Sequence, residues 1–255
     1  MNHMTLKKFS YIAASTVGLV SLMALPVSAV SAKATTSTTT ASTKSSAAVT
    51  AANQARLQLI ISRGNTEINR RLATLSTLGN KINSASKLSS ADAATLNATV
   101  SSDVSALTTL KTQLDGDTTV TAAVTDAQSI ITGYRVYALV VPQVDLVKTA
   151  DDQQVAEDNL EALSTKLAAR ITAEQQKGTN VTALQATFAD LDTKTAAAKS
   201  TSSTIETSVI GLVPSDYNTN HAVLSGDRTE LQTAQSDIKT AISDGSSIVS
   251  RLSSK

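Results

Sequence analysis

The densest group of side chains with potential acid–base or metal chemistry is a run of carboxylates in the middle of the chain. It comprises Asp151, Asp152, Glu157, Asp158 and Glu161. Carboxylates can bind calcium or work in pairs in hydrolysis. A calcium loop, however, takes its ligands from alternate residues of a tight turn, and no D-x-D-x-D-G spacing occurs here. Because Asp151 and Asp152 fall where a helix N-terminus favours negative charge, the pattern predicts a solvated helix face and no metal site.

A nucleophilic or thiolate site has few candidate residues. The chain has no cysteine, which excludes a disulfide, a thiolate zinc site and a cysteine nucleophile. Only His221 follows the N-terminal leader, in a polar loop, and no G-x-S-x-G pattern accompanies it. A triad needs a histidine held between a carboxylate and a nucleophile. We therefore predict a solvated loop histidine, no catalytic residue, no cofactor and no enzymatic activity.

The segment "GYRVYALVVPQV", residues 133–144, differs from its surroundings of Ala, Ser, Thr, Asp and Lys. One hypothesis is a binding site for a small ligand or wall glycan around a helix irregularity at Pro142. Its residues would be Tyr134, Arg135, Tyr137 and Gln143. The other interpretation is structural. As a helix, residues 136–147 would be about 18 Å long, too short for roughly 30 Å of hydrocarbon, and apolar on every face. This predicts a buried central helix, bent at Pro142.

The charge pattern bears on partners. The 22 basic and 21 acidic residues nearly balance, so the sequence predicts no nucleic-acid partner. Arg56, Arg63 and Arg70 recur every seven residues and share one side of the first helix. They could steer the chain to an anionic cell-wall polymer, but a solvated stripe is the favoured interpretation.

The elements that must position these residues are helices. Glycine and proline are scarce, and apolar residues recur at spacings of three and four. We predict an all-α fold, an elongated antiparallel bundle resembling a coiled coil, with about six long helices. Their approximate ranges are 51–84, 90–115, 120–148, 151–177, 181–212 and 224–252.

The N-terminus predicts export. Lys7 and Lys8 precede an apolar stretch that Pro26 ends, and small residues follow, so residues 1–32 form a predicted signal peptide cleaved after Ala29 or Ala32. Residues 33–50 are nearly all Ala, Ser and Thr and predict a disordered stalk. Residues 51–255 form the predicted bundle domain. We expect a secreted or cell-envelope location, with no stable transmembrane insertion after cleavage.

The segments "YRVYALVVPQV" and "RGNTEINRRLATL", with the leader and the Ala/Thr-rich helices, resemble a group of uncharacterised secreted bacterial helical proteins. These proteins share a Tyr-Arg-x-Tyr-Ala-Leu-Val-x-Pro-Gln segment in mid-chain. The resemblance covers most of residues 55–250. It implies secretion and a helical fold, and it assigns no site.

Three functions remain open from the sequence. The first is a structural, adhesive or protein-interaction bundle at the cell surface, with an unidentified protein or cell-envelope partner. The second is the ligand or glycan module around residues 134–143. The third is a membrane-active protein that hides an apolar helix until it meets lipid. Burial of residues 136–141 would argue against the third.

Overall fold

The computed structural model describes residues 40–254, with side chains from residue 47 onward. The described chain is helical and contains no strand, which confirms the all-α prediction. The helices are α1 (Thr40–Asn83), α2 (Ser90–Asp115), α3 (Val120–Thr132), α4 (Val141–Gln176), α5 (Thr182–Ile210), α6 (Pro214–Thr219) and α7 (Asp227–Ser253). A π-helical turn, Val136–Val140, leads directly into α4.

Helix α1 begins earlier than the sequence predicted. It starts at Thr40, so residues 40–50, expected to be disordered, are helical. Alanine, the best helix former, recurs through this stretch, and the helix continues without a break into the apolar pattern that follows. The predicted signal peptide and residues 33–39 of the predicted stalk lie outside the described residues.

The apolar stripes predicted for the helices are largely buried. They form two clusters. The first joins α1, α2, α3, the π-helical turn and the start of α4 with the end of α5 and Leu231 of α7. The second lies between the later part of α4, α5 and α7. In α5 the three-and-four spacing predicts a stripe that includes Leu184, Leu191, Ala198, Ile205 and Val209, and all five are buried. Helix α4 therefore contributes to both clusters.

The break between the third and fourth helices is not where the sequence placed it. We expected it near residues 149–150, whereas α4 runs unbroken through them. The chain breaks instead at residues 133–135, where Gly133 ends α3 and Arg135 takes a left-handed conformation with φ 44°. The Arg135 carbonyl then accepts hydrogen bonds from the N–H groups of Ala138 and Leu139. This turn starts the π-helical segment.

Pro142 does not break the helix. It lies in the first turn of α4, directly after the π-helical turn. A proline is tolerated at the beginning of an α-helix because the missing N–H has no intrahelical acceptor there. The helix irregularity predicted near Pro142 lies in the turn that precedes it, the π-helical turn Val136–Val140, which begins after the left-handed Arg135.

The burial predicted for the apolar segment is confirmed. Val136, Leu139 and Val140 are at most 2% exposed, and Val144 and Val147 are at most 1% exposed. Tyr137 is the exception, since 37% of its surface is exposed although the stripe predicted it to be inside. The left-handed turn at Arg135 changes the phase of the helix, and this places Tyr137 on the outer side.

Length and composition would allow one described helical stretch, Val120–Gln176, to cross a membrane. In its most apolar window, 44% is buried inside the protein. A core helix satisfies the same test of length and composition, so this observation is weak evidence for a membrane span.

Helix α4 also presents a different face to the interior than its apolar pattern suggested. The apolar spacing of residues 151–177 predicts a buried stripe that includes Val155, but Val155 is 38% exposed, while Gln153 and Glu157 are buried. Because α4 continues the helix that begins at Val141, its orientation is set by Val144, Val147 and Ala150. The same three-and-four spacing from those residues reaches polar side chains at 153 and 157.

Candidate functional site

Gln143, one of the four residues of the predicted binding site, lies in the interior. It is 1% exposed. Its Nε2 atom, which has two hydrogens to donate, lies within hydrogen-bond distance of three carbonyls, those of Val209 and Ile210, both at 2.9 Å, and of Leu212 at 3.1 Å. The last carbonyls of a helix have no intrahelical donor. Gln143 therefore caps the C-terminus of α5 and fastens it to the start of α4.

Arg135 contacts the short helix α6. Its Nε donates to Asn218 Oδ1 at 2.6 Å, and its guanidinium lies 5.4 Å from the centre of the Tyr217 ring. Asn218 in turn donates from Nδ2 to the Thr132 carbonyl at 2.9 Å. His221, exposed as predicted, meets the Tyr217 ring edge-on at 5.1 Å. These contacts hold α6 against the turn between α3 and the π-helical segment.

The two tyrosines have different surroundings. Tyr134 is half-buried against the first apolar cluster, and burial, with the nearby charge of Asp103, raises its pKa. Tyr137 faces α1, where the guanidinium groups of Arg71 and Arg70 lie 5.2 and 5.9 Å from its ring centre. The four residues therefore have separate contacts, and only Tyr137 presents an open aromatic ring beside basic groups.

We predict a small effect from Tyr137→Phe. The hydroxyl lies 3.3 Å from Thr74 Oγ1 at an exposed position, and the cation–π contacts remain in the variant. The free energy of unfolding, measured by urea titration with circular dichroism, should change by less than about 1 kcal/mol. Tyr137→Ala, which also removes the ring, should cost more. Equal costs for the two variants would contradict this assignment.

The structure brings together three carboxylates that the sequence analysis did not connect. Asp92 lies in the first turn of α2, Asp151 on α4 and Glu206 on α5, and one oxygen from each lies within 4.8 Å of the others. Asp92 and Asp151 are buried. Ser89, the N-cap of α2, donates its backbone N–H to Asp151 Oδ2 at 2.6 Å and its hydroxyl to Asp92 Oδ2 at 2.7 Å. Carboxylates at this spacing can share a proton or hold a cation.

The electrostatics of this carboxylate cluster raise the pKa of Asp151. Burial raises the pKa of Asp151 to about 6, against an opposing hydrogen bond from the Ser89 N–H. The charges of Asp92 and Glu206 and a side-chain hydrogen bond with Asp92 raise it further. Two adjacent carboxyl groups form such a bond only when one of them is protonated.

A second polar group, the buried layer, comprises Gln153 and Glu157 of α4 and Ser202 of α5. All three are at most 3% exposed. Ser202 Oγ lies 3.0 Å from Gln153 Oε1 and 2.8 Å from Glu157 Oε1. Gln153 Nε2 donates to the Leu231 carbonyl of α7 at 2.8 Å. The layer therefore links three helices.

The predicted solvated acidic face is only partly correct. Asp152 pairs with Lys148 at 2.6 Å, and Asp158 and Glu161 pair with Lys199 at 3.3 and 2.8 Å, all at accessible positions. Asp151 and Glu157, by contrast, are buried, because the face of α4 that carries them is the one packed against neighbouring helices. Burial in a low-dielectric interior changes their protonation chemistry, which a solvated face would not do.

Sequence reasoning missed Asp92, Glu206 and Ser202 for a physical reason. Each is a common polar residue on a predicted helix, and no local spacing relates it to its partners. The one signal is that three successive residues of the apolar stripe of α5, Thr195, Ala198 and Ser202, are small, which predicts that a neighbouring helix approaches closely there. Ser202 is indeed 0% exposed.

A shallow depression lies farther along the contact between α4 and α5. It is lined by Glu161, Ser164, Asp192 and Thr195.

Comparisons of the chain with protein-family models, curated proteins and solved structures found no match.

Proposed function

We propose that this chain is a secreted or cell-surface helical protein with a structural, adhesive or protein-interaction role, and that it is not an enzyme. The observation that carries the proposal is that residues of the predicted binding site are engaged in contacts between helices. Gln143 caps α5, and Arg135 holds α6 through Asn218 and Tyr217. These side chains stabilise helix contacts and are not directed at a small molecule.

The surface chemistry supports the same proposal. Many exposed threonines donate their hydroxyl hydrogen to the carbonyl four residues earlier in their own helix, as Thr77, Thr95, Thr108 and Thr201 do. Such hydroxyls have their donor engaged and add no charge. The helices thus offer long, weakly charged faces, which suit contact with another macromolecule.

The test is the location and binding of the full chain. Antibody detection in fractionated producing cells should find the protein in the medium or the cell envelope. Labelled protein should then bind isolated envelopes saturably, and unlabelled protein should compete. A cytoplasmic location would overturn the proposal, as would turnover of a substrate abolished by a single side-chain substitution.

Glycan binding at Tyr137 is the second candidate, favoured by its exposed ring beside Arg70 and Arg71. On this hypothesis Tyr137→Ala lowers retention of the protein on purified cell-wall glycan. Tyr217→Ala is the matched control, since Tyr217 also contacts an arginine but lies on α6. Equal retention of wild type and Tyr137→Ala would exclude Tyr137 as a glycan contact.

The membrane-active alternative has less support. It requires an apolar segment that is hidden until it meets lipid, and residues 136–147 have a sufficient structural role in the first apolar cluster. Vesicle leakage by the purified chain would be the result that restores this hypothesis.

A further inference from the structure

The buried layer contains one hydrogen too few if Glu157 is ionised. Gln153 uses its amide Nε2 on the Leu231 carbonyl, so its Oε1 faces Ser202 as an acceptor. An ionised Glu157 is also only an acceptor. The Ser202 hydroxyl has a single hydrogen, yet it lies within hydrogen-bond distance of both oxygens, at 3.0 and 2.8 Å.

A proton on Glu157 resolves this count. Glu157 then donates from Oε1 to Ser202 Oγ, Ser202 donates to Gln153 Oε1, and Gln153 donates to the Leu231 carbonyl. Each contact becomes a hydrogen bond with one donor and one acceptor, in a chain that runs from α4 to α5, returns to α4 and ends on α7. Polar groups buried this deeply are normally hydrogen-bonded.

We propose that Glu157 is protonated in the folded protein and that it acts as a proton-dependent switch, whose ionisation loosens the packing of α5 and α7 against α4. The position of the layer makes this packing sensitive to one charge. On α4, Glu157 lies between Ala150 of the first apolar cluster and Leu160 of the second. On α5, Ser202 lies between Ala198 of the second cluster and Ile205 of the first.

The charged groups around Glu157 leave it without a dedicated counter-ion. On its own helix, Asp158 and Glu161 raise its pKa, while Lys199 on α5 lowers it. Lys199, however, is already paired with Asp158 and Glu161. On the α7 side, the layer contacts the uncharged backbone carbonyl of Leu231, which accepts a hydrogen bond from Gln153.

Burial is the largest cause of the raised pKa of Glu157, and the Ser202 hydrogen bond opposes it. Its Oε2 atom is buried with no hydrogen-bond partner. An unpaired oxygen of a neutral acid is less costly to bury than one of an ionised carboxylate.

The direction of the pH effect follows from the raised pKa. The folded state holds the proton more tightly than the unfolded state, so stability is present at low pH and is lost as pH rises through the folded pKa. Each unit by which the pKa of Glu157 differs between the folded and unfolded states changes the unfolding equilibrium constant about tenfold.

The decisive variant is Glu157→Gln in the full chain, because glutamine donates to Ser202 at every pH. Urea titrations at pH 5 and pH 8 give the unfolding equilibrium constant. We expect it to rise between these pH values at least about tenfold more for the wild type than for the variant. Glu161→Gln on the same helix is the control and should keep the wild-type change, since Glu161 is exposed and paired with Lys199.

A second measurement works on the wild type and does not require the variant to fold. In nuclear magnetic resonance titrations of chain labelled with ¹³C at glutamate side-chain carboxyls, one glutamate should stay protonated at pH values where the exposed ones are ionised. If all glutamates titrate together in the ordinary acid range, the proposal is overturned. It is equally overturned if Glu157→Gln folds and retains the full wild-type pH dependence.

Discussion

Asp151→Asn should stabilise the protein at pH 7 by about 2 to 3 kcal/mol. The pKa of Asp151 rises from its ordinary value of 3.8 to about 6 in the fold. One pKa unit corresponds to about 1.4 kcal/mol, so a rise of this size means that ionising Asp151 at pH 7 costs the folded protein about 2 to 3 kcal/mol. Asparagine carries no charge, can still accept the Ser89 N–H, and offers Asp92 the donor that a second carboxylate lacks.

The effect should depend on pH in a defined direction. The pKa of Asp151 is higher in the folded state than in the unfolded state. The stability that protonated Asp151 contributes is therefore lost as pH rises from about 4 to about 6. Wild type and Asp151→Asn should therefore differ little at pH 4 and most at pH 7. Chemical unfolding followed by circular dichroism across this range measures both quantities.

Asp152→Asn is the matched control, one residue away on the same helix. Asp152 is accessible and paired with Lys148, and such pairs contribute at most about 1 kcal/mol. The control should not flatten the pH profile. A loss of stability in Asp151→Asn at pH 7 would contradict the raised pKa of Asp151. Stabilisation of the wild type by calcium, absent in the variant, would favour a cation between Asp92, Asp151 and Glu206 instead.

Gln143→Leu is expected to destabilise the protein by about 2 to 4 kcal/mol. Leucine fills a similar volume but donates no hydrogen bond. The Val209 carbonyl also accepts from the Leu212 N–H, whereas Gln143 is the donor shown for the Ile210 and Leu212 carbonyls. A buried or half-buried acceptor left without its donor costs about 1 to 3 kcal/mol.

Two further variants separate the lost donor from general effects of substitution. Gln143→Glu keeps the shape but faces the same carbonyls with an acceptor, so it should be at least as destabilising at pH 7 and improve on acidification. Gln176→Leu, at the exposed end of α4, should change stability by less than about 0.5 kcal/mol. If Gln143→Leu were as harmless as Gln176→Leu, the capping role would be wrong.

Asp151 and Glu157 also suggest why the chain would keep polar groups inside. Both carboxyls lie where α4 changes from one apolar cluster to the other. A slip of α4 by one turn against α5 would separate Glu157 from Ser202, so their hydrogen bonds would favour a single register. Retention of buried polar groups for such specificity is known in some helical proteins.

The local rules worked where a residue's role depends on its own helix. Ala198, Ser202, Ile205 and Val209 of α5 recur at spacings of four, three and four, and all are buried. The apolar run from Val136 to Val147 was correctly predicted to be internal. Both predictions rest on amphipathic periodicity, which depends only on neighbours along the chain.

The same rules failed where backbone geometry sets the phase of a helix. Arg135 is not a residue that signals a left-handed turn, and Pro142 is a stronger local signal for a break. The break at residues 133–135 nevertheless turns Tyr137 outward, and the unbroken α4 brings Gln153 and Glu157 inside in place of Val155. A shift of phase in one helix exchanges its buried and exposed residues.

The sequence by itself determined the helical fold class, most of the apolar stripes and the burial of the segment around Val140, because these follow from composition and short-range spacing. Only the tertiary structure decided which polar groups meet. Asp92, Asp151 and Glu206 come from three helices, and Ser202 reaches Glu157 across a helix interface. Their protonation depends on burial and on charges distant in sequence, and no local pattern encodes either quantity.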